Sequence, residues 1–196
     1  MKRCALLMGL ILFAGLPASA QDGYPKTELF LGYSFNIDAA GRIDRTNSHG
    51  WSANMSRNFN RYFGITTDFG GGYGNAEELL LNVAGTLVPV PGTGSFGAYR
   101  FMAGPRITAR GKRLTWFIHV LFGAAVSSVS SFTLPDGTVV PTDTEIDFAM
   151  GYGTGFDVHL VSFLGWRLIQ FDHIPVRVEG TWVRNNRVQT GFVFKW

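Results

Sequence analysis

The residues of this chain able to do chemistry sit in a period-two pattern. Glu28, Asp68, Asp147, Asp157 and Asp172 offer carboxylates, Arg100 and Arg106 guanidinium groups, and His119 and Gln170 further hydrogen-bonding atoms. Each has an apolar or aromatic residue on at least one side. Successive side chains of a strand point to opposite faces, so these nine would share polar faces. Charged groups lining a narrow pore would set ion preference. Acids and arginines packed into a space too small for a channel would instead neutralise one another as a buried polar network. The network is the stronger reading if the enclosing barrel is small.

Other chemistries find less support. His49, His119, His159 and His173 lack metal-ligand spacing, and the single cysteine, Cys4, lies near the N-terminus, so neither a metal nor a cofactor is expected. His119 faces inward by pattern, His173 falls near the outer rim and His159 in a turn. Ser127, Ser128, Ser130 and Ser131, with Ser48-His49, could supply a nucleophile and base, but no His-X-Ser pair appears on a strand. Gly151-Tyr-Gly153-Thr-Gly155 has a period of two and no following helix, unlike a nucleotide fingerprint, and suits close packing inside a barrel. No catalysis is expected.

Eight alternating segments must position these residues: Thr27 to Ile37, His49 to Arg57, Phe63 to Tyr73, Ser95 to Ala109, Leu114 to Ser127, Glu145 to Val158, Gly165 to Ile174 and Asn186 to Trp196. One face of each carries most of the Leu, Ile, Phe, Tyr and Trp; the other carries Gly, Ser, Asn and isolated charges. Arg167 is out of step with Gln170 and Asp172, which calls for a bulge near Leu168. Pro105 cannot donate to a ladder and suggests a bulge or strand end. The connections alternate. Short turns fall at 58–62, 110–113 and 159–164, and long loops at 38–48, 74–94, 128–144 and 175–185. That asymmetry is what a membrane barrel with periplasmic turns and extracellular loops requires, and it places both termini in the periplasm. Outside residues 1–20 no uncharged apolar run is long enough for a membrane helix.

Residues 1–20 read as a secretory signal: Lys2 and Arg3, an apolar stretch from Leu6 to Leu16, then Ala18-Ser19-Ala20. Residues 21–196 form one domain. Without the leader the chain holds 15 basic and 14 acidic residues and no cysteine, so neither nucleic-acid binding nor disulfides are expected. Charged residues make up 16%, below the usual ~25%, as suits a chain with one face in lipid. The last strand puts Phe192, Phe194 and Trp196 on one face, with the final aromatic at interfacial depth.

The fold class expected is all-β, an antiparallel eight-stranded up-and-down transmembrane β-barrel. A soluble barrel would turn its apolar face inward around a ligand, and a face as glycine-rich as Gly151, Gly153 and Gly155 fits a crowded interior better. The chain resembles the small OmpA-type eight-stranded outer-membrane barrels that have no peptidoglycan-binding domain. The likeness rests on Glu28-Leu-Phe-Leu-Gly-Tyr33, Phe69-Gly-Gly-Gly-Tyr73, Phe101-Met-Ala-Gly-Pro-Arg106, Phe117-Ile-His119, Phe148 to Asp157, Arg167 to Asp172 and the last strand. It implies a monomer in the Gram-negative outer membrane, whose partners are membrane lipid and the barrel-assembly machinery. That machinery would read Phe192, Phe194 and Trp196, although the family more often closes on Phe. It also implies a structural or surface-interaction role with a polar, mostly plugged lumen. The alternatives are a narrow ion pore, an adhesin acting through the loops 38–48, 74–94, 128–144 and 175–185 and, less strongly supported, a lipid A-modifying enzyme.

Overall fold

Alternation of β-branched or aromatic residues with small or polar ones favours strands that bury one face and leave the other in a second medium. In the computed structural model, which describes residues 23–38, 46–83, 86–140, 144–178 and 180–196, all eight alternating segments are strands. They are β1 (Thr27–Asp38), β2 (Thr46–Asn58), β3 (Phe63–Val83), β4 (Thr86–Arg110), β5 (Leu114–Thr133), β7 (Thr144–Val161), β8 (Leu164–Val178) and β9 (Thr181–Lys195). A two-residue strand, β6 (Val139–Val140), folds back on the far end of β5. The expected leader, 1–20, lies outside the described residues, as does most of the loop 38–48.

Each barrel strand pairs antiparallel with its neighbours in chain order, and β1 pairs with β9 to close the ring. The fold is an eight-stranded antiparallel up-and-down β-barrel. At the seam Thr27 and Trp196 exchange both backbone hydrogen bonds, at 2.9 and 3.0 Å.

One end of the barrel matches the sequence expectation, except that His159, expected in a turn, lies in β7 opposite Gly165 because the ladder runs on to Val161. The turns there are short, and Asn60 Oδ1 caps one by accepting from the amides of Tyr62 and Phe63 at 2.8 and 2.9 Å. The opposite, hairpin end differs. The expected loop 74–94 is largely two paired arms, continuing from Glu78 opposite Pro91 to Val83 opposite Thr86, with an irregularity between Ala76 and Glu78. The expected loop 175–185 is also mostly ladder, closed by a turn in which Gly180 takes φ +84°. Residues 128–133 extend β5. The physical reason is that an arm projecting beyond the barrel no longer faces two different media. Its hydrogen-bond ladder continues after its hydrophobic alternation stops.

The bulge near Leu168 is present. The register slips between Arg167 and Gln170, and Leu168 and Ile169 are both exposed. Pro105 produces no bulge and no strand end. It pairs opposite Ile65, and β4 keeps the same register with β5 on either side of a gap at residues 104 and 105. The missing N–H costs the ladder one bond without shifting it.

The polarity is inverted relative to a water-soluble barrel. Outward positions include Leu31, Trp51, Phe69, Phe101, Trp116, Phe122, Tyr152, Phe171 and Phe192, all exposed. Apart from Phe30, Phe117 and Val193, inward positions are charged, polar or small through the middle and turn-side part of the barrel. Toward the hairpin end an apolar cluster of Met102, Leu121, Ala125, Ala149, Ile174 and Val176 fills the interior.

Candidate functional site

The inward faces of all eight barrel strands converge on one polar interior. Near the turn end, Glu28 on β1 sits between two β4 arginines. Arg110 Nη2 lies 2.7 Å from Oε1 and Arg106 Nη1 lies 3.0 Å from Oε2. Asn58 Nδ2 donates to the same carboxylate at 3.1 Å, and Arg106 Nη1 donates to Ser56 Oγ at 2.7 Å.

The next layer is built around Arg167, which is 2% exposed. Its Nε donates to Asp157 Oδ1 at 2.7 Å, its Nη2 to Asp157 Oδ2 at 3.2 Å, and its Nη1 to Asn54 Oδ1 at 2.9 Å and Gln170 Oε1 at 2.6 Å. Two phenylalanines face inward here because a planar cation needs planar neighbours. The Arg167 guanidinium lies 4.3 Å from the Phe30 centroid and 4.4 Å from that of Phe117, and the Arg106 guanidinium lies 4.1 Å from the Phe117 centroid. Such desolvated cation–π contacts contribute roughly 1–2 kcal/mol each.

Above this layer Arg187 bridges two carboxylates. It donates to Asp68 from Nη1 and Nη2 at 2.9 and 2.7 Å, and to Asp172 Oδ2 from Nε and Nη2 at 3.0 and 2.9 Å. Gln170 and Gln189 also donate to Asp172, and His119 Nε2 lies 2.9 Å from its Oδ1. Asn54 Nδ2 donates to Asp68 Oδ2 and so links the two layers. The space between Asp68, Arg106, His119 and Arg167 is too small for a water molecule.

Of the nine residues singled out in the sequence, Glu28, Asp68, Arg106, His119, Asp157, Gln170 and Asp172 join this contact chain. Arg100, also buried, donates to Asn36 Oδ1 at 3.0 Å. Asp147 is only half-buried, two positions nearer the hairpin end than Ala149. Sequence reasoning missed the two central arginines. Arg187 and Gln189 alternate with Val188 and Thr190, so the period-two pattern already assigned them inward. Arg167 was obscured by the bulge beside it.

The glycine-rich stretch has a packing cause. A Cβ on Gly155 would fall 2.6 Å from Phe117 Cζ, and one on Gly153 would fall 2.9 Å from His119 Nε2 and collide with Asp172. Strand β7 is bare there because side chains of β5 and β8 occupy its inner surface.

Ser48 and His49 lie on opposite faces, Ser48 buried and His49 exposed, where its Nδ1 meets the Tyr33 hydroxyl. They do not form a nucleophile–base pair. Ser127 and Ser128 belong to β5, separated from β2 by two strands. At the exposed tip before β6, the Thr138 amide donates to Asp136 Oδ1 at 2.9 Å and holds that carboxyl below its ordinary pKa.

No protein-family model and no curated protein sequence matches the chain. Solved structures do match. Ail, the attachment invasion locus protein of Yersinia pestis, in complex with the heparin analogue sucrose octasulfate, aligns over 87% of this chain and 99% of that one, at 17% identity and a TM-score of 0.53. Neisserial surface protein A aligns over 87% of this chain and 96% of that one, at 8% identity and a TM-score of 0.57. At these identities the likeness establishes architecture: the chain has the eight-stranded antiparallel barrel fold of small bacterial outer-membrane proteins.

Proposed function

We propose that this protein is an integral outer-membrane barrel of Gram-negative bacteria, with a structural or surface-interaction role and no catalytic step. The observation that carries the reading is the inverted polarity. A wall of exposed Leu, Ile, Phe, Tyr and Trp surrounds an interior of paired ions, and only a lipid solvent stabilises that arrangement. Aromatic residues collect at two levels, with Tyr62, Trp116, Phe163 and Trp166 toward the turn end and Tyr33, Trp51, Tyr73, Tyr99 and Trp182 toward the hairpin end. These levels suit the two interfaces of a bilayer.

The short turns and both termini then face the periplasm, and the long arms project outside the cell. The leader 1–20 exports the chain, and the assembly machinery inserts it as a monomer through the strand bearing Phe192, Phe194 and Trp196. The ion-paired interior acts as a plug rather than a pore, a reading supported by the tight packing among Asp68, Arg106, His119 and Arg167. Surface interaction would fall to the projecting arms. Ail, with the same fold, was crystallised with a sulfated sugar, which makes sulfated glycans a first ligand class to try here.

Electrophoresis before and after boiling tests the fold in lipid, because a folded barrel changes mobility on heating. Planar-bilayer recording tests the plug. Absence of discrete conductance with a normal mobility shift is the expected result, and steady channel activity would refute the plug.

A further inference from the structure

Among the described residues the outward wall carries few charges. Among the strand residues with described side chains, the charged ones that face outward are Arg57, at the turn end, and Arg177 and Arg184, toward the hairpin end. Arg57 is engaged, donating to Thr27 Oγ1 at 2.8 Å. Arg177 and Arg184 make no hydrogen bond or ion pair among the described residues, and no described acid faces outward beside them. An unpaired guanidinium on a lipid-facing wall is costly unless it reaches a polar layer or an anion.

Their depth and surroundings identify that anion. From Phe194, at the turn end of β9, Arg184 lies ten positions along the strand. At about 3.3 Å per residue and a tilt of about 40°, that is about 25 Å of height, the thickness of a barrel's apolar band. Arg177 stands in register with Phe148 on one side and Trp182 on the other, and Arg184 pairs opposite Pro175. One step deeper, His173 Nδ1 lies 2.8 Å from Asn186 Oδ1, and the His173 ring lies 5.1 Å from that of Tyr152. The patch therefore stacks two guanidinium groups that have no acid partner among the described residues at interfacial height, then polar side chains, then the apolar wall of Phe171 and Val188.

We propose that Arg177 and Arg184, flanked by Trp182 and backed by His173 and Asn186, bind the phosphate groups of an outer-leaflet phosphorylated glycolipid whose acyl chains lie along β7–β9. This rests on the outer-membrane reading above. A guanidinium fork matches phosphate oxygens two at a time, which a point charge cannot do. Charge complementarity favours this occupant over a second copy of the chain, which would bring like charges together.

The test uses the full chain, folded in detergent and mixed with bisphosphorylated lipid A or its dephosphorylated form, with retained lipid counted by native mass spectrometry. Retention of the bisphosphorylated form should fall about tenfold for each arginine removed in R177Q and R184Q, and stay unchanged in R57Q. Equal retention of the dephosphorylated lipid, undiminished retention by R177Q/R184Q, or an equal loss in R57Q would each overturn the site. So would displacement of the lipid by inorganic phosphate at comparable concentration, which would mark a site for soluble anions. The boiling-dependent mobility shift keeps the two readings apart. Lost retention with a normal shift removes this site alone, whereas absence of the shift in the native chain removes the outer-membrane reading and the site with it.

Discussion

Replacing Arg187 by methionine should destabilise the folded barrel by about 3–5 kcal/mol, the range for removing one partner of a buried ion pair. The structure indicates how that loss divides. Arg187 donates four hydrogen bonds, two to Asp68 and two to Asp172. Asp172 would keep Gln170, Gln189 and His119 as partners, but among the described residues Asp68 would keep only Asn54. The penalty thus falls mainly on Asp68, left charged and nearly unpartnered beside an apolar thioether, and the upper part of the range is expected. In equilibrium terms the folded-to-unfolded ratio drops by roughly two to four orders of magnitude at ~1.4 kcal/mol per decade. Reversible urea unfolding in vesicles, followed by tryptophan fluorescence and by the boiling-dependent gel shift, measures it. Arg187→Lys should recover part of the loss, because an ammonium can serve one carboxylate but cannot fork between two. The combination R187M/D68N/D172N should recover most of it, since no ion then remains unpaired. A loss below about 1 kcal/mol in R187M, or a triple variant as unstable as the single, would refute the claim that pairing, rather than mere packing, holds this interior together.

Gly153→Ala should cost about 1–3 kcal/mol by overpacking, because the new methyl displaces the His119–Asp172 contact; near-native urea stability would contradict that account. Deleting Leu168 should remove the extra residue of the bulge and leave Arg167 inward, Ile169 outward and Gln170 inward in regular alternation, so the barrel should still form and stay heat-modifiable. Loss of the heat-modifiable barrel in that deletion would argue against this. Removing Phe194 to Trp196 strips the β1–β9 seam of its pairs with Leu29 and Thr27, so insertion into vesicles should fail. Normal assembly of that truncation would show that the seam closes without them.

How far the sequence discloses this molecule depends on where two media meet. Along Leu29 to Ile37 or Trp116 to Val126, alternation marked both the strand and its outward face, because lipid lies on one side and a polar interior on the other. At Leu79 to Val90 that contrast ends, and the paired arms read as loop even though the ladder continues across them. Glu28, Asp68 and Asp172 were legible as inward by the same parity. Their partners were harder to infer. Arg187 reaches Asp68 across 119 residues of chain, and Arg167 reaches Asn54 across 113. No local pattern encodes which arginine meets which acid. That is set by the registers of strands far apart in sequence. Phe30 and Phe117 ran against the polarity rule because they stack on arginines, a tertiary reason that sequence alone does not display.

The contacts of Arg187 and Arg167 also do something that the hydrophobic pattern cannot. Sliding one strand against its neighbour by a single residue would turn every apolar side chain inward, so alternation alone forbids odd slips. A slip of two residues leaves every side chain on its proper face, and alternation is blind to it. Such a slip moves a strand by about 7 Å along its neighbour, enough to carry Arg187 out of reach of Asp68 and to strand Arg167 from Asp157. The ion pairs thus work as a parity-independent check on alignment, rejecting the one class of misthreaded barrel that lipid would accept.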